Sequence, residues 1–194
     1  MSMYRGQQRP PLPMKYRRRR TYALLLLILL IWGIWSGIGT MFNGGGAQQA
    51  KAGEACAAGA VQIVPHIGDG STDATQFFQG ETIQMWYELT NIGNVPCKFN
   101  VGSKVTFFKI TSGPETIWDS HQCDRGSDSD LEITLEPNKS EKSTPSTWDQ
   151  VRSSDSGCNA SSGQTPVDAG GASYHLAVTV NNVLSANDIQ FTLN

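Results

Sequence analysis

The stretch TIQMWYELT, Thr82 to Thr90, alternates residue by residue between two kinds of side chain. Ile83, Met85, Tyr87 and Leu89 fall on one side, and Gln84, Trp86, Glu88 and Thr90 on the other. A period of two sends successive side chains to opposite faces of a strand, so this segment reads as a half-buried strand with one face on a core.

Working outward, the same period returns. Tyr174, Leu176, Val178 and Val180 alternate in YHLAVTV, as do Ile189, Phe191 and Leu193 near the end of the chain and Leu131, Ile133 and Leu135 before it. Residues 61–65, 104–110 and 115–119 supply three more short runs, and 143–148 a weaker one. Turn-forming clusters separate them: Asn91 to Asn94, Ser112-Gly113-Pro114, Glu136-Pro137-Asn138-Lys139 and Ala169-Gly170-Gly171. Seven or eight short strands with no long helical pattern predict an all-β, antiparallel immunoglobulin-like sandwich over residues 60–194. That length suffices to bury one core.

The N-terminal part obeys other rules. Tyr22 to Phe42 is a run of 21 residues without a charged side chain. As a helix it spans about 31 Å, the thickness of a bilayer's hydrocarbon core. Residues 1–21 hold seven basic residues and no acidic one, which keeps that end in the cytoplasm and sends the C-terminal domain out of the cell. The run is too long for a cleavable signal, and Gly53-Glu54-Ala55-Cys56 lacks the residues of a lipoprotein signal. The chain is therefore expected to be a single-pass cell-membrane protein with lipid as one partner. Gly33 and Gly37 have the small-xxx-small spacing through which a second copy or another spanning helix can pack. Residues 43–59, rich in Gly, Ala and Gln, read as a flexible linker. Beyond the helix lie 8 basic and 17 acidic residues, a formal charge of −9 hidden by the whole-chain value of −2. Such an acidic domain does not suit nucleic acid.

The four cysteines, Cys56, Cys97, Cys123 and Cys158, form no close pair of the zinc-binding kind. On the oxidising side of a membrane an even number reads as disulfides. Three pairings are open. The hairpin over 104–119 brings its ends together, which favours Cys97 with Cys123 and leaves Cys56 with Cys158.

The order of motifs carries a resemblance. Asn91-Ile92-Gly93-Asn94-Val95-Pro96-Cys97 is followed by Ile117-Trp118-Asp119-Ser120-His121-Gln122-Cys123, by Leu135-Glu136-Pro137-Asn138 and by Trp148. The closing pieces are Gly170-Gly171-Ala172-Ser173-Tyr174 and Phe191-Thr192-Leu193. This order resembles the membrane-anchored immunoglobulin-like envelope domains of unknown function in Gram-positive actinobacteria. Asn138 stands where that family has glycine, at a turn suited to φ > 0. More distantly the pattern is similar to the bacterial intracellular proteinase inhibitor, a resemblance that implies fold rather than activity.

Catalytic patterns are sparse. Ser154-Asp155-Ser156-Gly157-Cys158-Asn159 resembles the nucleophile motif of cysteine L,D-transpeptidases, but His121 is followed by Gln122 instead of glycine, and Asn159-Ala160 replaces the expected arginine. His66, His121 and His175 lie on separate segments, and the acidic run Asp124, Asp128, Asp130 and Glu132 lacks the glycine and distal glutamate of calcium loops, so no metal or cofactor is expected. Asn138 and Asn159 head glycosylation sequons. Trp86, on the strand face opposite Met85 and Tyr87, either packs with Trp118 and Trp148 or forms an exposed binding surface with them. The expectation is a non-enzymatic extracytoplasmic binding module that docks to a protein or cell-wall partner, with inhibition of an exported protease and cysteine transpeptidation as the alternatives.

Overall fold

The computed structural model describes residues 51–194. The expected basic tail, the membrane helix with Gly33 and Gly37, and residues 43–50 of the expected linker lie outside the described residues. Among the described residues no helix is long and apolar enough to cross a membrane.

The described chain is all-β, with strands β1 (Val61–Gly68), β2 (Gln76–Phe77), β3 (Ile83–Asn91), β4 (Cys97–Asn100), β5 (Thr106–Ser112), β6 (Glu115–Asp119), β7 (Glu132–Leu135), β8 (Ser140–Lys142), β9 (Ser146–Trp148), β10 (Ala172–Val180), β11 (Val183–Leu184) and β12 (Ile189–Leu193). One sheet runs β1-β3-β8, with β9 also on β3; a second runs β2-β12-β10-β5-β6, with β11 on β10; β4 and β7 form a small third ladder. All neighbours are antiparallel except β2 and β12. The expected strand at 82–90 is β3, displaced by one residue, and its apolar set points inward: Ile83, Met85, Tyr87 and Leu89 are at most 3% exposed. They meet Phe108, Ile110, Leu176, Val178, Val180, Phe191 and Leu193 of the second sheet in one core, as in a sandwich.

Two expectations need correction here. Residues 54–56, assigned to the free linker, belong to the domain: Lys98 N donates to Glu54 O (2.8 Å) and Cys56 N to Lys98 O (3.0 Å). Sequence reading missed this because an isolated bridge has no period. The disulfides join Cys56 to Cys97 and Cys123 to Cys158, not the pairs expected. The β5–β6 hairpin does close, but Cys97 is drawn into β4 beside the incoming chain. Cys123 lies at the other side, where the loop after β9 folds back over β6.

Sheet edges are closed by particular residues. Beside β6, Ser153 N donates to Ile117 O (3.1 Å) and Ser153 Oγ accepts from Asp119 N (2.8 Å). On β1, Ala186 N reaches Ile63 O (3.0 Å), Ala74 N reaches Ile67 O (2.9 Å), and Pro65 between them has no N–H to offer. Edges blunted this way resist pairing with other chains.

Tyr174, near the start of β10, donates its phenol proton to Asp168 O at 2.7 Å and fastens the long loop before the strand. Tyr174→Phe is expected to lower stability by about 1 kcal/mol, read by urea denaturation, because a part-buried hydrogen bond is lost while packing is kept. Burial is the main cause that raises the Tyr174 and Tyr87 phenols above their ordinary value of 10.0. A group whose pKa is raised by folding stabilises the fold while protonated, and that contribution fades as pH climbs past 10 toward the raised value. Stability should therefore fall on the alkaline side, less steeply in Tyr174→Phe.

Candidate functional site

The ladders β3–β8 and β4–β7 share two consecutive corners, the turn 92–96 between β3 and β4 and the turn 136–139 between β7 and β8. At these corners the ladders part. One fully buried residue holds both turns: Asn91 donates from Nδ2 to Val95 O and to Leu135 O (2.9 Å each), and its Oδ1 accepts from Gly93 N at 2.8 Å. Its own carbonyl accepts from Asn138 N (2.8 Å). Asn138 has φ 58°, the left-handed conformation expected at that turn.

Because β7 turns away toward β4 while β8 stays on β3, a slot of about 430 Å³ opens between them. Its floor is Tyr87, Leu89 and Phe108, its far wall is Val101, Leu131 and Ile133, and its near wall is Glu141 to Thr144 with Ser146. Leu131 was expected to be core, yet it is 56% exposed at the slot's rim. The near wall is uneven: β8 and β9 are offset by one residue along β3, with Ser143 N on Tyr87 O (2.9 Å), Ser143 Oγ on Tyr87 N (3.0 Å) and Pro145 between the two strands.

The slot runs into a second cleft of about 320 Å³; Ser103, Thr106, Phe108 and Ser146 line both. This cleft lies against Trp118 and the Cys123–Cys158 disulfide, with Asp124, Asp128, Asp149 and Arg125 around it. Arg125 organises the wall. It donates to the carbonyls of Ser120 (3.1 Å), Thr106 (3.3 Å) and Ser103, pairs with Asp128 at 2.6 Å, and lies 4.5 Å over the Phe107 ring. The loop can close here because residue 102 is glycine: a Cβ would collide with the Ser129 carbonyl oxygen.

The acidic run read from the sequence is distributed among partners. Asp128 faces Arg125, Asp130 holds Lys104 (3.3 Å) and Asn100 (2.7 Å), Glu132 pairs with Lys98 (3.1 Å), and Asp124 accepts from Gly126 N (3.0 Å). The Asn100 and Lys104 bonds hold the Asp130 carboxyl below its ordinary range. Among the described residues no group of three His, Cys, Asp or Glu side chains could hold a metal ion. The histidines are separate, His66 on Asp73 (2.9 Å), His121 on Asp119 (2.6 Å) and His175 on Asp188 (3.1 Å). Cys158, the nucleophile of the transpeptidase alternative, is bonded to Cys123 and carries no thiolate.

The tryptophan surface is corrected. Trp86, Trp118 and Trp148 are 2%, 4% and 1% exposed; Trp118 and Trp148 belong to the core, and Trp86 lies outside it. Trp148 packs edge-on against Tyr174 and Phe191 in the core. Trp118 donates from Nε1 to Cys158 O at 2.6 Å. Trp86 does leave the core face, as its position in β3 requires, but His66 stacks on it at 5.5 Å and the Lys142 ammonium lies 4.7 Å from its ring. A period-two reading gives the face of a strand and not what folds over that face. Asn91, Arg125 and the slot were missed. An Asn-x-Gly at a strand end was a legible signal for the first, while the slot follows from how two ladders diverge.

No family model matches the chain, and no curated protein matches it. Among solved structures it is similar to a β-glucosidase from Erythrobacter marinus at 10% identity and a TM-score of 0.38, over 69% of this chain and 15% of that one. Spo0M, the sporulation control protein of Bacillus subtilis, follows at 11% and 0.36, over 70% of this chain and 50% of its own. A CARDB domain from Pyrococcus furiosus, solved in complex with di-metal ions, gives 10% and 0.32 over 76% and 97%. The chain thus spans half or less of the first two structures, and none of these likenesses carries an argument about what it does.

Proposed function

We propose that this chain is a membrane-anchored binding module whose immunoglobulin-like sandwich stands outside the cell membrane and takes its partner in the slot between β7 and β8. The immunoglobulin-like reading is supported by the strand order of the two sheets, by the parallel β2–β12 pair and by the Tyr174 corner at the start of β10. The anchor reading is supported by the uncharged run 22–42 beside a basic tail, and the outside location by two disulfides. One observation carries the binding role: the slot has an apolar floor and an exposed Leu131 on its rim, in a domain whose edges at β1 and β6 are closed. A concave, mostly apolar recess with polar groups at one end is the usual form of a binding site.

The test uses the full chain in intact cells, with a photo-crosslinking amino acid at Leu131 or, on β1 of the first sheet, at Gln62. Capture of one defined partner from Leu131 and none from Gln62 is the expected result. Equal capture from both, or none from Leu131, removes the slot from the proposal. Protease added to intact cells should digest the domain; a protected domain removes the outside location.

A further inference from the structure

We infer that the slot takes an extended, cationic peptide segment of a partner protein, which adds as a strand to the free edge of β7. This rests on the slot being the binding site and names what fills it.

The backbone supplies the first argument. In the β4–β7 ladder, Cys97, Phe99 and Val101 stand opposite Leu135, Ile133 and Leu131, and Val101 N donates to Leu131 O at 2.8 Å. Hydrogen-bonded pairs alternate along an antiparallel ladder, so the N–H and C=O groups of Glu132 and Thr134 point away from β4. Among the described residues β7 has no strand on that side. The edges of β1 and β6 are closed, and the β8–β9 edge is broken by its one-residue offset and Pro145. The edge of β7 is intact, and Leu131 and Ile133, the residues flanking Glu132 in sequence, line the slot with its apolar floor. A strand laid there presents alternate side chains to Tyr87, Leu89 and Phe108, about 7 Å apart, while its main chain bonds to β7.

The charges supply the second. Arg125, in the second cleft, is engaged by Asp128 and three carbonyls, and on neighbouring segments Lys104 is paired with Asp130 and Lys98 with Glu132. Lys142 is turned to Trp86 and to Gly70 O (3.0 Å). Glu141 on the near wall and Asp124 and Asp149 around the second cleft are exposed and have no cation within ion-pair distance among the described residues. With 8 basic against 17 acidic residues in the described domain, the field around the slot attracts a basic segment.

The experiment measures fluorescence anisotropy of a labelled peptide alternating lysine and valine over seven residues, titrated with the full chain in zwitterionic micelles. Three changes should each weaken binding at least about tenfold: N-methylation of alternate peptide nitrogens, glutamate in place of lysine, and Thr134→Pro. That proline removes an outward N–H without touching the β4 ladder, as edge strands permit. Thr134→Val, which keeps the N–H, should bind like the native chain, and both variants should melt near it. Binding that survives Thr134→Pro or N-methylation overturns strand addition, and equal binding of the glutamate peptide overturns the charge argument. If no peptide binds while Leu131 still captures a partner in cells, this inference fails and the slot survives. Saturable binding of soluble cell-wall fragments that the lysine peptide cannot displace likewise overturns it.

Discussion

Asn91→Ala is expected to destabilise the domain by about 3 kcal/mol, one of the largest effects of any single substitution outside the apolar core. The side chain is fully buried and makes three hydrogen bonds, two given to the carbonyls of Val95 and Leu135 and one taken from Gly93 N. Alanine leaves those groups without their partner where water does not readily replace it. At roughly 3 °C per kcal/mol for a domain of this size, the melting temperature of the full chain should fall by about 10 °C. Asn91→Asp separates the two roles. A carboxylate can still accept from Gly93 but faces two carbonyl oxygens with no proton to give, so at neutral pH it should be at least as damaging as alanine. Its carboxyl pKa is then raised by folding, so part of the loss should return as pH falls below that raised value. A drop under about 1 kcal/mol for alanine would show that the two corners hold without the asparagine. Peptide binding should weaken with the melting point, since the corners set how far β7 and β8 diverge.

That residue also shows what a sequence makes legible. Alternation identified β3, β10 and β12 and the inward members of each, because burial on one face forces a period of two whatever the partner strand. It could not find β2, β8 or β11, and within the expected run 143–148 only Ser146–Trp148 is strand, since so short a run has no period to read. Trp86 obeyed the pattern and still escaped the inference. Its outward position was correct, and its cover came from His66 on β1 and Lys142 on β8, which are 20 and 56 residues away in sequence. The cysteine pairing failed for a related reason. Proximity along a hairpin favours Cys97 with Cys123, but the partners are set by segments arriving from outside it, residues 54–56 on β4 and the loop after β9 on β6. The slot is further still from the sequence. It depends on the angle between two ladders, which local propensity does not encode, although the Asn-x-Gly turn and the positive-φ asparagine that set its corner are both visible once their role is known.

Removing the Cys123–Cys158 disulfide, as Cys123→Ala with Cys158→Ala, is expected to have the largest effect. Closing a loop of sequence separation 35 lowers the entropy of the unfolded chain by an amount worth about 4 kcal/mol. The Cys56–Cys97 bond, with separation 41, has nearly the same entropic value. The two should differ in what they do to the folded state. Residues 54–56 stay tied to β4 by the Lys98 and Cys56 backbone bonds when their disulfide is absent. The other bond joins two long segments, 120–131 and 149–163, that hold the second cleft and bring Cys158 O to the Trp118 indole at 2.6 Å. Once it is cut, that wall keeps as polar ties to the sandwich the Arg125 bonds, the Trp118 bond, the two Ser153 bonds to β6 and the Arg152–Glu115 pair. Both double variants should therefore unfold at similarly reduced urea concentrations, while hydrogen exchange in the folded state distinguishes them. Amides of 120–131 and 149–163 should exchange at least about tenfold faster without Cys123–Cys158 and at the native rate without Cys56–Cys97, since a bond confined to the wall sets local opening there and not elsewhere. Native exchange rates in both would mean that the cleft wall is held by its polar contacts alone, and the disulfide would then act only on the unfolded chain.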